Sequence, residues 1–217
     1  MCPPSAYNST ANKPLYDIKG DTYTGFGNYG VADDADAGGT VRSVANSIKM
    51  PEKFFLEFDT TGHNWNNLDY FYNFWNAADT AATLDDNQAT AIKTIYDPCP
   101  AGWMLPAGRA FTGFTTSGSS VSSGAPEGCE VVGSFSNGWK FKRNSTDAVG
   151  NCWPASGRRD GASGSLSSVG SGGYYWSFAS GSRAYARSLG FGSSSVAPAN
   201  ASLRAGGLAV RPSRELS

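Results

Sequence analysis

Along the last third of the chain, large apolar residues stand at short intervals in a background of very small ones. Tyr174, Tyr175, Trp176, Phe178, Tyr185, Leu189, Phe191, Val196, Leu208 and Val210 punctuate a stretch in which 23 of the 47 residues from Gly161 to Gly207 are Gly or Ser. Such composition ordinarily marks a flexible linker, but linkers do not carry bulky apolar groups at this density. The pattern predicts four short strands, around 174–178, 184–191, 195–197 and 208–211. Trp103, Trp153, Tyr174, Trp176, Leu189, Phe191, Val196 and Val210 would face a core, and the small residues alternating with them would face solvent.

Upstream the pattern changes several times. Phe54-Phe55-Leu56-Glu57-Phe58 predicts a short strand. Leu68, Phe71, Tyr72, Trp75 and Ala78 fall at helical spacing behind a capping Asn66 or Asn67, which predicts a helix with a core-facing stripe. Between Pro98 and Pro106, three prolines and Gly102 rule out regular structure and force a tight path that should bury Trp103 and Leu105. A short helix is expected over 108–114 and a loop over 115–128. Cys129–Val132 and Trp139–Arg143 read as a hairpin turning at Ser136-Asn137-Gly138, with a further turn at 144–150.

Composition agrees with a loop-rich, strand-rich protein: charged residues are 16%, aromatics 13%, and there are 27 glycines. The net charge of −1 hides an asymmetry, with 13 acidic and 6 basic residues in 1–100 against 5 and 11 in 101–217. No acidic residue occurs from Gly161 to Arg214, a span that holds Arg183, Arg187, Arg204, Arg211 and Arg214. The two halves would neutralise each other in one fold; the alternative is a mildly basic face. The opening Met1-Cys2-Pro3-Pro4 reads as the start of an internal segment, without a leader, and no apolar run is long enough to span a bilayer, so no membrane insertion is expected.

The candidate chemistry is sparse. His63 is the only histidine, and the cysteine spacings match no zinc pattern, so no metal is expected. Asp34, Asp36 and Gly38 resemble the start of a calcium loop, but no glutamate follows at the needed distance. Nucleophile-elbow, phosphate-loop and dinucleotide fingerprints are absent, and nothing argues for Glu127 and Glu130 as a facing carboxylate pair. Neither catalysis, nor a cofactor, nor nucleic acid is expected. Four cysteines admit three full pairings. Cys129 and Cys152 flank the hairpin, which favours a disulfide between them; Cys2 with Cys99 is the other pairing considered.

Four ordered stretches carry a family resemblance: Tyr96-Asp97-Pro98-Cys99-Pro100-Ala101-Gly102-Trp103-Met104-Leu105-Pro106, Trp153-Pro154-Ala155-Ser156-Gly157-Arg158, Gly173-Tyr174-Tyr175-Trp176-Ser177 and Val210-Arg211-Pro212. Together they resemble the bacterial surface proteins of the "major paralogous domain" family, abundant in gut Bacteroidales, over about 64–215. The resemblance implies an α+β, C-type-lectin-like fold of the formylglycine-generating-enzyme branch, loop-rich, with short antiparallel strands and one or two helices. Residues 61–217 would form the ligand-binding domain and residues 1–60 an extension on it. Cys152, Leu208, Arg158-Arg159 and Pro212 depart from the family pattern, and the metal-binding cysteine pair of the formylglycine enzymes has no counterpart.

In some members of that family the terminal segment is the variable region of a diversity-generating retroelement, in which Asn codons are rewritten at their adenines. The resemblance therefore implies a variable region of about 174–212. Lys, Glu, Gln, Met and Trp, which such rewriting cannot produce, are absent between Ser177 and Gly207. The implied ligand-facing positions are Phe178, Gly181, Ser182, Arg183, Ala186, Gly190, Gly192, Ser195, Ala197, Asn200, Ala201, Ser202, Leu203 and Gly206. The implied activity is binding of a protein or glycan on another cell or host surface, by a surface adhesin with pilus or envelope assembly partners. An invariant envelope or pilus module and a phage tail-fibre receptor binder are the alternatives.

Overall fold

The computed structural model describes residues 15–16, 22–23, 27–29, 44–49, 53–57, 65, 74–78, 91–182 and 184–215. Among them, short antiparallel strands dominate. The early elements are β1 (Leu15–Tyr16) paired with β2 (Thr22–Tyr23), helix α1 (Val44–Lys49), and the parallel pair β3 (Gly27–Tyr29) with β4 (Lys53–Phe55). β5 (Trp103–Met104) pairs with the last strand, β14 (Ser213–Arg214). β6 (Val131–Val132), β7 (Gly138–Phe141) and β8 (Asn151–Pro154) form one three-stranded sheet. After the small pair β9 (Arg158–Arg159) and β10 (Leu166–Ser167) comes a second three-stranded sheet, whose strands are the longest among the described residues. It consists of β11 (Gly172–Ser180), β12 (Tyr185–Gly192) and β13 (Val196–Leu203), with β12 in the middle. No helix among the described residues is long and apolar enough to cross a membrane.

The hairpin β6–β7 forms where its sequence predicts, because Asn137 and Gly138 adopt the positive φ (54° and 144°) that the turn demands. Strand β4 and the first three strands of the Gly/Ser-rich segment also form, the third extending to Leu203. The fourth is reduced to a single bridge, Ala209 with Tyr175.

The main core lies between the two three-stranded sheets. Trp153 is its hub, meeting Phe111, Phe114 and Tyr175 edge-on at centroid distances of 5.8, 5.1 and 4.9 Å, while Phe114 stacks on Phe141 at 4.1 Å. Leu189, Phe191 and Val196 fill the space from the β12–β13 side. Polar atoms in this core are paired: Trp139 Nε1 donates to Gly192 O and the Tyr175 hydroxyl to Pro154 O. The Arg211 guanidinium lies 4.2 Å from the Trp153 ring centroid and donates to Cys152 O, so this arginine closes the core. Gly173 is required here, since a Cβ would sit 2.1 Å from the Phe191 ring.

The Pro98–Pro106 segment is organised by one cation. Lys93 Nζ donates to the carbonyls of Cys99, Pro100 and Trp103 and lies 3.6 Å from the Asp97 carboxylate. Asp97 in turn accepts the N–H groups of Cys99 and Leu105 at 2.8 and 3.1 Å. The prolines supply no N–H groups to a ladder, and the ammonium takes up carbonyls that the short strand β5 leaves over. The turn between β7 and β8 is held in a similar way by Asp147. Its carboxylate accepts from the Arg143 side chain and from the N–H groups of Arg143, Val149 and Gly150, which keeps it well below the usual carboxylate range.

Five expectations are corrected. Residues 74–78, the end of the anticipated helix, form turns around an extended bridge from Asn76 to Lys93. The buried Asn76 side chain accepts the N–H groups of Ala78 and Ile92, which competes with helical pairing; the remainder of that segment lies outside the described residues. The helix over 108–114 is one 3₁₀ turn, Thr112–Phe114. Trp103 is 45% exposed, since strand neighbours point to opposite sides and Met104 takes the inner one. Val210 is 38% exposed, because its neighbour Ala209 makes the inward contact.

The Cys129–Cys152 disulfide does not form. Cys129 and Cys99 are buried free thiols, and Cys152 is disulfide-bonded to a partner outside the described residues. The reason is topological: Cys129 leads into β6 and Cys152 sits in β8, with β7 running between them. Two strand spacings come to roughly 10 Å, beyond the reach of a disulfide.

Two predictions follow from these contacts. Burial and the neighbouring Asp97 push the Cys99 thiol up to about 11, and burial also raises Cys129. Both should therefore resist alkylation at pH 8 in the native protein and react once denatured, so that peptide mapping without reduction finds the label on Cys99 and Cys129. A peptide linking Cys129 to Cys152 would restore the hairpin disulfide. Lys93→Met should lower unfolding stability by about 3 kcal/mol, because it strands a buried carboxylate and three carbonyls; chemical denaturation measures this, and a loss below about 0.5 kcal/mol would remove Lys93 from the role assigned to it.

Candidate functional site

The β11–β12–β13 sheet is covered on both faces. On one side Tyr175, Leu189, Phe191 and Val196 enter the main core. On the other, Trp176, Phe178 and Ala186 pack with Cys99, Met104 and Leu105, and Trp75 lies against them. β11 slips register between Trp176 and Ser180, and the bulge is filled by the Ser177 hydroxyl, which donates to Arg187 O at 2.9 Å and accepts from Ala179 N–H. Opposite the bulge, Phe178 N–H donates to Pro106 O, tying β11 to the proline-rich segment.

This double coverage sorts the candidate positions. Ala201 is exposed, and Ser182, Gly192, Ser195, Ala197, Asn200, Leu203 and Gly206 are half-buried. Arg183 lies outside the described residues. The others are corrected to interior positions: Phe178 (4% exposed), Gly181, Ala186, Gly190 and Ser202 (3% exposed). Phe178 and Ala186 lie on the same side of the sheet as Trp176, and that side is occupied rather than wet. Ser202 faces Ala186 across the ladder, and its hydroxyl pairs with that of Ser188 at 2.8 Å. Asn200 Nδ2 donates to both hydroxyls, at 3.4 Å to Ser188 and 3.2 Å to Ser202, and its amide sits beside Gly190. At Gly181 an added Cβ would come within 2.9 Å of Tyr185 O.

Where the second layer stops short, a cleft of about 450 Å³ remains. Six aromatic side chains line it: Trp65, Phe74, Trp75, Tyr96, Trp176 and Phe178. Ser47, Ile48, Ile95, Ala179, Ser180, Ala186 and Arg204 complete the described lining. Its rings are set against one another, Trp75 with Trp176 at 6.0 Å and Phe74 with Tyr96 at 5.6 Å in an edge-on pair. The wall carrying Phe74 and Trp75 is clamped to the wall carrying Ile95 and Tyr96. Ala77 N–H donates to Ile92 O, and the Thr94 hydroxyl donates to Phe74 O.

The rim is the turn from β11 to β12. Gly181 and Ser182 N–H both donate to Tyr185 O, while the Ser182 hydroxyl accepts from Ala184 and Tyr185. Arg204 N–H donates to Ala184 O, which fixes the arginine's backbone beside that turn. Of the other arginines in this segment, Arg187 donates to Ala199 O and Arg211 covers Trp153, so both are built into the framework rather than presented as a basic face. Among the described residues no three His, Cys, Asp or Glu side chains come together as a metal site. His63 and Asp34, Asp36 and Gly38 lie outside the described residues.

The cleft was not legible in the chain, except that Phe178 and Ala186 were among the candidates. Its other walls come from segments up to about 150 residues apart, and no local periodicity joins them. Comparison with protein families, curated proteins and solved structures finds no match for this chain.

The sorting of positions is itself testable. Ala201→Tyr and Leu203→Tyr should each change unfolding stability by less than about 0.5 kcal/mol. Ser202→Val, which leaves the Ser188 hydroxyl short of a partner, and Gly181→Val, which crowds Tyr185 O, should cost about 1–3 kcal/mol each. Equal tolerance at all four positions would undo the division between outward and interior positions.

Proposed function

We propose that this chain is the ligand-binding domain of a bacterial surface protein, an adhesin or receptor binder, in which exchangeable side chains stand on a C-type-lectin-like scaffold. Its partner is a protein or glycan on another cell or host surface, and it acts by binding, without catalysis or a cofactor. The observation that carries this reading is the aromatic cleft, whose wall includes Phe178 and Ala186 and whose rim is the turn holding Ser182. Concave, mostly apolar sites with a few placed polar groups are where ligands bind. Ile95 at the cleft is 91% exposed, and on the other face of the sheet Ala201 and Leu203 are exposed and half-buried; all three can change residue type with little effect on the core, so specificity can be rewritten without refolding the protein.

The test is an array of glycans and extracellular proteins probed with the purified chain, wild type and Ile95→Trp at the cleft, with Ala201→Trp and Leu203→Trp on the other face of the sheet. The expected result is selective retention on some targets and a shifted set for at least one variant, with melting temperatures within about 3 °C of wild type. Retention that no substitution alters would remove the exchangeable positions from recognition, and no retention at all would count against binding as the function.

A further inference from the structure

We infer that strand β13 pairs edge to edge with the β13 of a second copy of this chain, through main-chain hydrogen bonds centred on Ala201. The inference is separate from the reading of the cleft and stands on the hydrogen-bonding edges of the β11–β12–β13 sheet.

Most of both edges is covered. Along β11, Gly172 O accepts from Gly157 N–H and Tyr174 O from Ala209 N–H, while Trp176 N–H donates to Ala209 O and Phe178 N–H to Pro106 O. At the start of β13, Val196 exchanges both of its bonds with Val121. The stretch from Ala199 to Leu203 is different. Arg204 N–H donates to Ala184 O, so in this ladder Ser202 and Asn200 turn their main-chain groups toward β12, opposite Ala186 and Ser188. The alternate residues Ala201 and Leu203 turn theirs away. Ala199 O also points outward, where it accepts from the Arg187 side chain. No described residue meets the Ala201 N–H or C=O or the Leu203 N–H, and Ala201 is exposed.

An open edge is a template for another strand, and proteins that avoid such pairing place Lys, Pro or a bulge on it. The register shift of this ladder and Pro198 lie at the start of the open stretch. From Asn200 onward it reads Asn-Ala-Ser-Leu and carries neither Lys nor Pro. The space beside it is short. Val121 fills the continuation at one end, and at the other the chain turns away with Gly206 N–H on Leu203 O. A long strand does not fit there, whereas a short one bounded by turns does, and β13 from Ala199 to Leu203 is such a strand.

Set antiparallel about a two-fold axis at Ala201, two copies supply reciprocal groups. Each Ala201 N–H donates to the partner's Ala201 O, and each Leu203 N–H to the partner's Ala199 O, whose second lone pair is open beside the one used by Arg187. The facing Ala201 side chains are too small to hold the backbones apart, and a net charge of −1 does not oppose association. Two three-stranded sheets then become one continuous sheet, and each particle carries two clefts, which raises avidity for a surface ligand. So short a pairing buries far less than the roughly 1,200 Å² of a stable interface, so the dimer is weak, with a Kd on the order of 0.1 mM.

Sedimentation equilibrium of the full chain between about 10 μM and about 1 mM should show the mass rising from one chain toward two. Ala201→Pro removes the central N–H at a place where an edge strand tolerates proline, and Ala201→Lys sets like charges against each other at the axis. Each should weaken the dimer at least about tenfold. Ala201→Cys should be linked into a covalent dimer by mild oxidation, since directly opposed residues of a hydrogen-bonded antiparallel pair lie about 5.5 Å apart at Cα. Val149→Cys, at a position 68% exposed in the turn between β7 and β8, should not be linked. The mass of one chain throughout refutes self-pairing and leaves the edge to a strand of another protein. A dimer that neither Ala201→Pro nor Ala201→Lys weakens, or that oxidation fails to link in Ala201→Cys, uses another surface and overturns the inference.

Discussion

The sheet of β11, β12 and β13 has no wet face along most of its length, and this constraint shapes everything around it. Tyr175 and Leu189 need the aromatic core built on Trp153. Trp176 and Phe178 need the segment that follows Lys93. A strand buried on both sides has no alternate residues facing solvent, so the exposed and half-buried positions gather in the turns and on the edge strand β13. The cleft arises from the same constraint, being the place where the second covering layer is incomplete.

The four ordered sequence stretches turn out to have separate mechanical duties. The proline-rich one wraps its carbonyls around the Lys93 ammonium and supplies Pro106 O to β11. Trp153 is the hub of the rings, and Gly173 leaves the gap that Phe191 fills. Ser177 plugs the bulge, and Arg211 seals the hub from outside. Each is a buried polar or steric requirement that few other residues could meet, which is why these stretches stand out from a chain otherwise rich in Gly and Ser.

Local rules were readable and distant ones were not. The hairpin at Asn137-Gly138 and the strands from Gly172 onward are written in turn chemistry and in the placement of β-formers, both short-range. The anticipated wet positions Phe178, Ala186 and Ser202 were misplaced because alternation says which side a residue faces, not whether that side is covered. Covering depends on residues near 75 and 104, about 100 or 70 positions away from Phe178. The same blindness explains the cysteines: a hairpin brings its own two strands together, but Cys152 lies on a third strand. Short antiparallel strands with few helices is as far as the pattern of residues reaches.

The contacts made by the extreme end of the described chain carry a kinetic implication. Ser213 and Arg214 pair with Met104 and Trp103, and Arg211 reaches back to Cys152. Closure thus joins residues more than a hundred positions apart, the kind of contact that slows folding because the intervening chain must be ordered first. The hairpins within 131–154 and 172–203 are closed by neighbours in the chain and carry no such delay, so the pairing of β5 with β14 is the contact whose formation costs the most chain entropy.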